Sequence, residues 1–385
     1  MLSLLLYFIF LLPTQYSFAY VLIPAIYGKY EFPKNCNQII KYIFITATIL
    51  LFVSTLLDPF ANNFRRIISY FVTIAPLGFI FLPFTKKIFS AASISILLFA
   101  TINYSLKQIY FILTNSSLIF DLKSQVGTQR IGMILIVAIL LANYLFLKTN
   151  SRFIKVTLLL SQFINIVGTF LTFSRTTYLT LIIVFLSFIN FENIKKFFLD
   201  FKIRPLNIRE TFKNFRRTLF IILLLMSVVV LANHFLSLGL VSFFTSARGF
   251  SINDWNFAEK GGSEGYRLYI WGLSFKHFLN NLFLGSGFLG CWTFTEDPNS
   301  CSFHNQHVDT IVRHGIFLTS LFFIFAINIF KTSLKMKSPH LFASYMAYFV
   351  FGFGHETFRN SDPSLVMSFL LWCTLKAPKF YYFNI

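Results

Sequence analysis

The apolar residues of this chain come in blocks about twenty residues long, the length at which an α-helix covers the roughly 30 Å of hydrocarbon in a bilayer. Short polar segments separate the blocks, so the sequence describes a membrane-spanning helix bundle. Composition agrees: 56% of the 385 residues are hydrophobic and 12% are charged, where a soluble domain is about one-quarter charged. The net charge of +19 does not point to nucleic acid, because the Lys and Arg residues lie between hydrophobic blocks, where they orient a membrane protein. No nucleic-acid partner is expected.

The pattern predicts an all-α, polytopic transmembrane bundle of about eleven helices (ten to twelve), forming a single domain over residues 1–385. The expected helices lie near 3–27, 39–57, 67–83, 88–106, 131–147, 153–173, 176–191, 218–240, 308–330, 341–354 and 363–375. The first has no basic residue before its apolar run and no small-residue cleavage site, and it reads as an uncleaved helix. Segment 192–217 carries Lys195, Lys196, Lys202, Arg204, Arg209, Lys213, Arg216 and Arg217 against Glu192, Asp200 and Glu210. Such a cation excess in a short loop argues for the cytoplasm. Alternation then puts 148–155 and 331–337 on the same side and the long loop 241–307 on the outside, with mixed charges. Arg65 and Arg66 do not fit this alternation and would fall outside. Cys291 and Cys301 both fall in the long loop; they either pair or remain two free thiols.

Charged side chains near hydrocarbon are costly unless paired or facing a cavity, and each is a functional candidate. Arg175 follows Ser174 at a tight outer turn, either snorkelling to the interface or clamping an anion with its guanidinium fork. Gly265, Arg267 and Trp271 lie in a segment where Leu268, Trp271, Phe275, Phe278 and Leu282 recur three and four apart, the signature of an amphipathic helix. Ser263 and Glu264 suit its N-terminal cap, and Gly285-Ser286-Gly287 suits a turn after it. The densest group is His304, Asn305, Gln306, His307 and Asp309, followed by Arg313 and His314. A metal site on His304 and His307 has no second ligand pair of familiar spacing to complete it. A general base oriented by Asn305 or Asp309 is the more natural reading of an imidazole there.

The order of these elements, Ser174-Arg175, then Gly265-x-Arg267-x-x-x-Trp271, then Gly285-x-Gly287-Phe288, then His304-Asn305, resembles the O-antigen ligase and O-antigen polymerase superfamily. The resemblance covers about residues 125–330. It implies a C-type membrane glycosyltransferase fold and transfer of a glycan from undecaprenyl diphosphate to an acceptor sugar hydroxyl, with no required metal or cofactor. The acceptor would be a lipid-A core or a growing glycan, with membrane lipid around the site. It also implies that Arg175 and Arg267 hold the lipid diphosphate and that His304 assists the acceptor hydroxyl. Arg130, ahead of Gly132, resembles a further arginine–glycine element, and Trp271, Asn305, His307 and Arg313 are expected to line the substrate site. A repeat-unit polymerase is the alternative within the family. A lipid-linked oligosaccharide flippase or another transporter is the alternative outside it, although no two related halves are visible. The topology has a direct test: a thiol placed at Ser263 should react with an impermeant reagent in intact cells. Reaction only after permeabilisation overturns the orientation.

Overall fold

The computed structural model describes residues 91–114, 128–172, 174–200, 262–283, 285 and 303–357, with isolated helical positions at 363, 366, 367, 370, 373 and 374. The expected helices at 3–27, 39–57, 67–83 and 218–240 lie outside the described residues, as do Arg65, Arg66, Gly287, Cys291, Cys301 and most of the long loop. Every described element is a helix: α1 (Ala91–Thr114), α2 (Thr128–Lys148), α3 (Arg152–Phe170), α4 (Arg175–Ile189), α5 (Phe191–Asp200), α6 (Gly262–Asn280), α7 (Gln306–Lys335) and α8 (Pro339–Phe351). Three of them are long and apolar enough to cross a membrane: α2 over Ile131–Lys148, α3 and α7. Helix α4 is apolar but shorter.

Burial in α3 and α4 is inverted relative to a water-soluble helix. In α3 the buried positions are Leu158, Ser161, Gln162, Asn165, Gly168 and Thr169, while Phe153, Val156, Leu159, Leu160 and Phe163 are exposed. In α4 the buried set is Thr177, Thr180, Val184 and Ser187, with Leu179 and Ile182 outside. Apolar surface can face outward at no cost where the solvent is hydrocarbon, whereas polar side chains there must find partners inside the bundle. Several do. Ser105 of α1 donates to Asn165 of α3 at 3.0 Å, and Asn165 donates to Thr101 at 3.2 Å. Asn143 of α2 donates to Gln162 at 3.2 Å and meets the His340 ring of α8 at 2.9 Å.

Helix α2 is the buried pillar, with Met133, Ile134, Leu135, Val137, Ala138, Leu141 and Ala142 fully enclosed. Helix α3 packs along it, α1 packs on α3, and α8 packs on both α4 and α2. Val366, Met367, Leu370 and Cys373 are also fully buried, and Tyr144 of α2 donates to the Cys373 carbonyl at 3.1 Å. At one end of the bundle Phe191, Leu334 and Phe342 form a core, joining the starts of α5 and α8 to the end of α7. Lys148, Arg152, Lys155, Lys195, Lys331, Lys335 and Lys337 gather around this basic end.

Several boundaries depart from the sequence expectation. Helix α1 runs on to Thr114, into the predicted 107–130 loop. Helix α7 starts at Gln306, ends at Lys335 and is broken at Gly315, whose φ of 60° and ψ of −172° are not helical. The apolar periodicity on both sides conceals the break. It is held by the chain that leaves α6. Gly285 has a φ of 72°; a Cβ there would lie 2.4 Å from the Arg313 carbonyl oxygen, and one on Gly315 would lie 2.3 Å from that of Phe283. The Ile316 N–H, displaced from the regular helical ladder, donates to the Leu282 carbonyl at 2.8 Å. Two backbones therefore meet where a side chain has no room. Gly315→Ala should lower the thermal midpoint of the detergent-solubilised protein sharply, because this positive-φ, extended-ψ conformation, essentially restricted to glycine, costs a side-chain-bearing residue about 1–3 kcal/mol and the clash adds to it. Gly272→Ala, at a helical position open for at least 4 Å, should instead stabilise by about 0.5–1 kcal/mol. Equal shifts for the two variants would contradict the backbone contact.

Candidate functional site

The end of the bundle opposite the basic one collects the starts of α2, α4 and α7 and the turn after α8. Gly132 of α2 lies against Thr177 of α4, where a Cβ would come within 2.3 Å of the threonine hydroxyl. Gly354, after α8, faces Thr176 in the same way at 2.4 Å. The Gln306 N–H, at the first residue of α7, donates to the Gly352 carbonyl at 2.7 Å. These close approaches need small residues, and together they bring Arg175, His304 and the turn 352–357 to one end.

Arg175 is the first residue of α4. Ser174 caps that helix by accepting from the Thr177 N–H at 3.3 Å, and Arg175 is exposed at the positive end of the helix dipole, a setting that favours anions. Arg130 occupies the first turn of α2, two residues before Gly132. Arg267 is half-buried in the first turns of α6. That helix covers Gly262–Asn280, but its inner face is not the predicted stripe. Leu268 and Phe275 are exposed, while Ile270 packs with Phe303 and Val312, Phe278 lies against that cluster, and Ser274 is fully buried. The inner face is chosen by the fit against α7, and a polar serine is admitted because its hydroxyl donates to the Ile270 carbonyl at 2.5 Å.

His304 is positioned through the residue before it. The Phe303 N–H donates to the Glu356 carboxylate at 2.5 Å, and the Phe303 carbonyl accepts from the Trp271 indole N–H at 2.7 Å. This peptide is gripped from α6 on one side and from the turn after α8 on the other. His304 then takes a left-handed backbone, φ 50°, which is uncommon for a residue with a side chain and persists where the surroundings enforce it. Asn305 follows as the N-cap of α7, its side-chain oxygen accepting from the N–H groups of His307 at 2.9 Å and Val308 at 3.1 Å. His304 therefore stands before the helix and shares no helical face with His307. The His307 Nε2 lies 3.0 Å from the Phe349 carbonyl, to which it donates, and the ring packs on Phe349 and Phe353.

Arg313 is buried to within 1% of its surface. Its Nε donates to Asp309 at 2.5 Å and its guanidinium lies over the Phe303 ring, 5.4 Å from the centroid. Burying such a charge is tolerable because the carboxylate compensates it, and removing either partner would strand the other. His355 and Glu356 were not singled out in the sequence, although ionisable residues in the polar turn after an apolar block are a usable signal. Both are buried. Burial lowers the pKa of His355, and electrostatic interaction with Arg267 and His304 lowers it further, to about 3. That coupling also ties Arg267 to the His304 side of the site.

The fold and this site define a polytopic membrane protein with guanidinium groups, an imidazole and a carboxylate at one end of an apolar bundle. Residues 160–323 match the O-antigen ligase family. That match supports, at a coarse level, an enzyme of the glycan-transfer class. The match spans Arg175, Arg267, Trp271, His304, Asn305, His307 and Arg313, and stops short of His355 and Glu356. No curated protein matches the sequence.

The depressed pKa of His355 gives a signed pH dependence. Above the ordinary histidine value of about 6.5 the residue is neutral folded and unfolded. As pH falls from there toward 3, the unfolded chain takes up a proton that the folded one refuses, so stability is lost. His355→Asn should flatten the fall in thermal midpoint between neutral and mildly acidic pH. Parallel pH profiles for the variant and the native protein would contradict a neutral buried His355.

Proposed function

We propose that the protein transfers a glycan from undecaprenyl diphosphate to an acceptor sugar hydroxyl on the outer side of the bacterial cytoplasmic membrane, as an O-antigen ligase. The observation that carries this reading is the gathering of Arg175, Arg267 and His304 at one bundle end, away from the basic end formed around Lys148, Lys195 and Lys335. Cation excess marks the basic end as cytoplasmic; the site then faces the periplasm.

In this mechanism Arg175 and Arg267 hold the diphosphate. The acceptor oxygen forms its bond to the anomeric carbon as the bond from that carbon to the diphosphate oxygen breaks. The electron pair leaves with the diphosphate, whose growing charge the guanidiniums stabilise. His304 takes the proton of the attacking hydroxyl, and attack opposite the leaving group inverts the anomeric centre. Glu356 and Trp271 are positioning residues, acting through the Phe303 peptide. Asn305, His307 and Arg313 support the same wall, capping α7, docking it on α8 and bracing Phe303. A repeat-unit polymerase would use the same donor chemistry with a growing glycan as acceptor, and acceptor choice distinguishes the two.

Purified protein supplied with undecaprenyl-diphosphate glycan and acceptor should release free undecaprenyl diphosphate, which transport without transfer would not produce. His304→Ala should retain donor binding and lose turnover by roughly 10²- to 10⁴-fold. Arg175→Lys and Arg267→Lys should each still weaken donor binding, because an ammonium lacks the planar fork that engages two oxygens. Near-native transfer by a well-folded His304→Ala protein would refute the assignment.

A further inference from the structure

The start of α4 is wedged between two glycines. Thr176 lies against Gly354 of the turn after α8, and Thr177, the next residue, lies against Gly132 of α2. A Cβ on Gly354 would come within 2.7 Å of the Thr176 Cγ2 and closer still to the hydroxyl. Neither glycine has a positive φ, so what these places demand is closeness and not an unusual backbone. The Gly354 turn is tied to its helix: the N–H groups of Gly354 and His355 both donate to the Phe351 carbonyl at 3.1 Å, and Phe351 is fully buried. The same turn holds the chain on both sides of His304. Before it, Glu356 accepts from the Phe303 N–H; after it, the Gly352 carbonyl accepts from the Gln306 N–H. On the α4 side, Thr176 directly follows Arg175 at the helix start.

We infer that Thr176 and Gly354 are positioning residues, whose contact sets the spacing between the Arg175 end of α4 and His304. The inference rests on the glycan-transfer reading above, and Gly354 lies beyond the residues that match the family. In that reaction Arg175 holds the diphosphate while His304 takes the proton of a hydroxyl arriving on the opposite face of the anomeric carbon. The two side chains act at opposite ends of one line, from leaving group through carbon to incoming oxygen. Lengthening the line misplaces the base without removing the clamp, and a shift of about 1 Å can cost about a hundredfold in rate. Glycine suits position 354 for a physical reason. A close-packed contact does not absorb an added methyl group without a shift, and here the neighbours are a helix start and a hydrogen-bonded turn. Side-chain volume at 354 is thereby converted into displacement of Arg175 from His304.

Gly354→Ala should lower turnover by about ten- to a hundredfold while the affinity for undecaprenyl-diphosphate glycan stays near native, a split that loss of the fold would not give. Adding Thr176→Ala removes the two nearest atoms that the new methyl meets and should restore most of the turnover. Gly132→Ala, which meets Thr177 instead, should gain nothing from Thr176→Ala. Near-native turnover in Gly354→Ala, equal loss of binding and turnover, a loss that Thr176→Ala does not restore, or rescue of Gly132→Ala as well would each overturn the inference. A second measurement needs neither turnover nor the alanine variants. A Cβ on residue 354 would lie 3.1 Å from that of Thr176, a small shift away from the ~3.5–4.5 Å that a disulfide spans. Mild oxidation of the Thr176→Cys/Gly354→Cys protein should therefore join the two positions, read by mass spectrometry of the linked peptides. The cross-linked protein should transfer glycan as well as its reduced form. Absence of the cross-link, or transfer lost on oxidation and regained on reduction, would overturn a fixed spacing. A cross-link in a protein whose native form releases no undecaprenyl diphosphate would leave the contact standing and remove the functional reading. Transfer without a cross-link would do the reverse.

Discussion

A helix in hydrocarbon has no water to satisfy its polar side chains, and the arrangement of this protein depends on that constraint. Ser161, Gln162, Asn165 and Thr169 of α3 turn inward because the outside offers no partner, and the contacts of Asn165 with Thr101 and Ser105 and of Gln162 with Asn143 tie α3 to α1 and α2. Apolar packing alone would be a weak guide, since Leu and Phe are as comfortable against lipid as against a neighbouring helix. The close glycine contacts then set the register. Gly168 approaches Ser105 of α1 and Gly132 approaches Thr177 of α4, and these fix how far each helix start projects at the site end.

The site is built on that frame by backbone contacts more than by side chains meeting each other. His304 sits in a left-handed conformation between a gripped peptide and a capped helix. The grip on Phe303 comes from a carboxylate 53 residues later and an indole 32 residues earlier. The break at Gly315 serves the same end. It separates the short N-terminal part of α7, which carries Gln306, Asp309 and Arg313, from the long apolar part, and the Gly285 backbone occupies the break. The histidine position is thus set jointly by α6, α7 and the turn after α8.

The arginines divide by how their charge is accommodated. Arg313 is enclosed with Asp309 and Phe303, so much of its charge is already neutralised where it lies. Arg175 is exposed at a helix start, and Arg267 is half-buried within electrostatic reach of His355 and the His304 turn. An anion entering this end meets guanidiniums and helix-start N–H groups together, while the neutral His355 adds no further positive charge.

The amino-acid order by itself pointed to hydrocarbon as the solvent of this protein and to the approximate places of its described helices. Blocks of about twenty apolar residues demand lipid, and an Arg or His between such blocks must lie near the boundary because desolvating it is costly. That is why Arg175, Arg267 and the His304 turn stood out as an ordered set before any contact was known. Tertiary structure decided what each polar residue does there. Asn305 and His307 were expected at the substrate site; in the fold the Asn305 side-chain oxygen caps α7 and the His307 Nε2 donates to the Phe349 carbonyl. The inner face of α6 differed from its apolar stripe, because periodicity in a lipid setting does not distinguish the side facing a helix from the side facing hydrocarbon. Glu356 lay in a turn of no obvious role until folding brought its carboxylate to the Phe303 N–H. Local sequence records the energetic cost of placing a residue in the membrane; which partner offsets that cost depends on chain segments far away, and only the packed bundle brings them together.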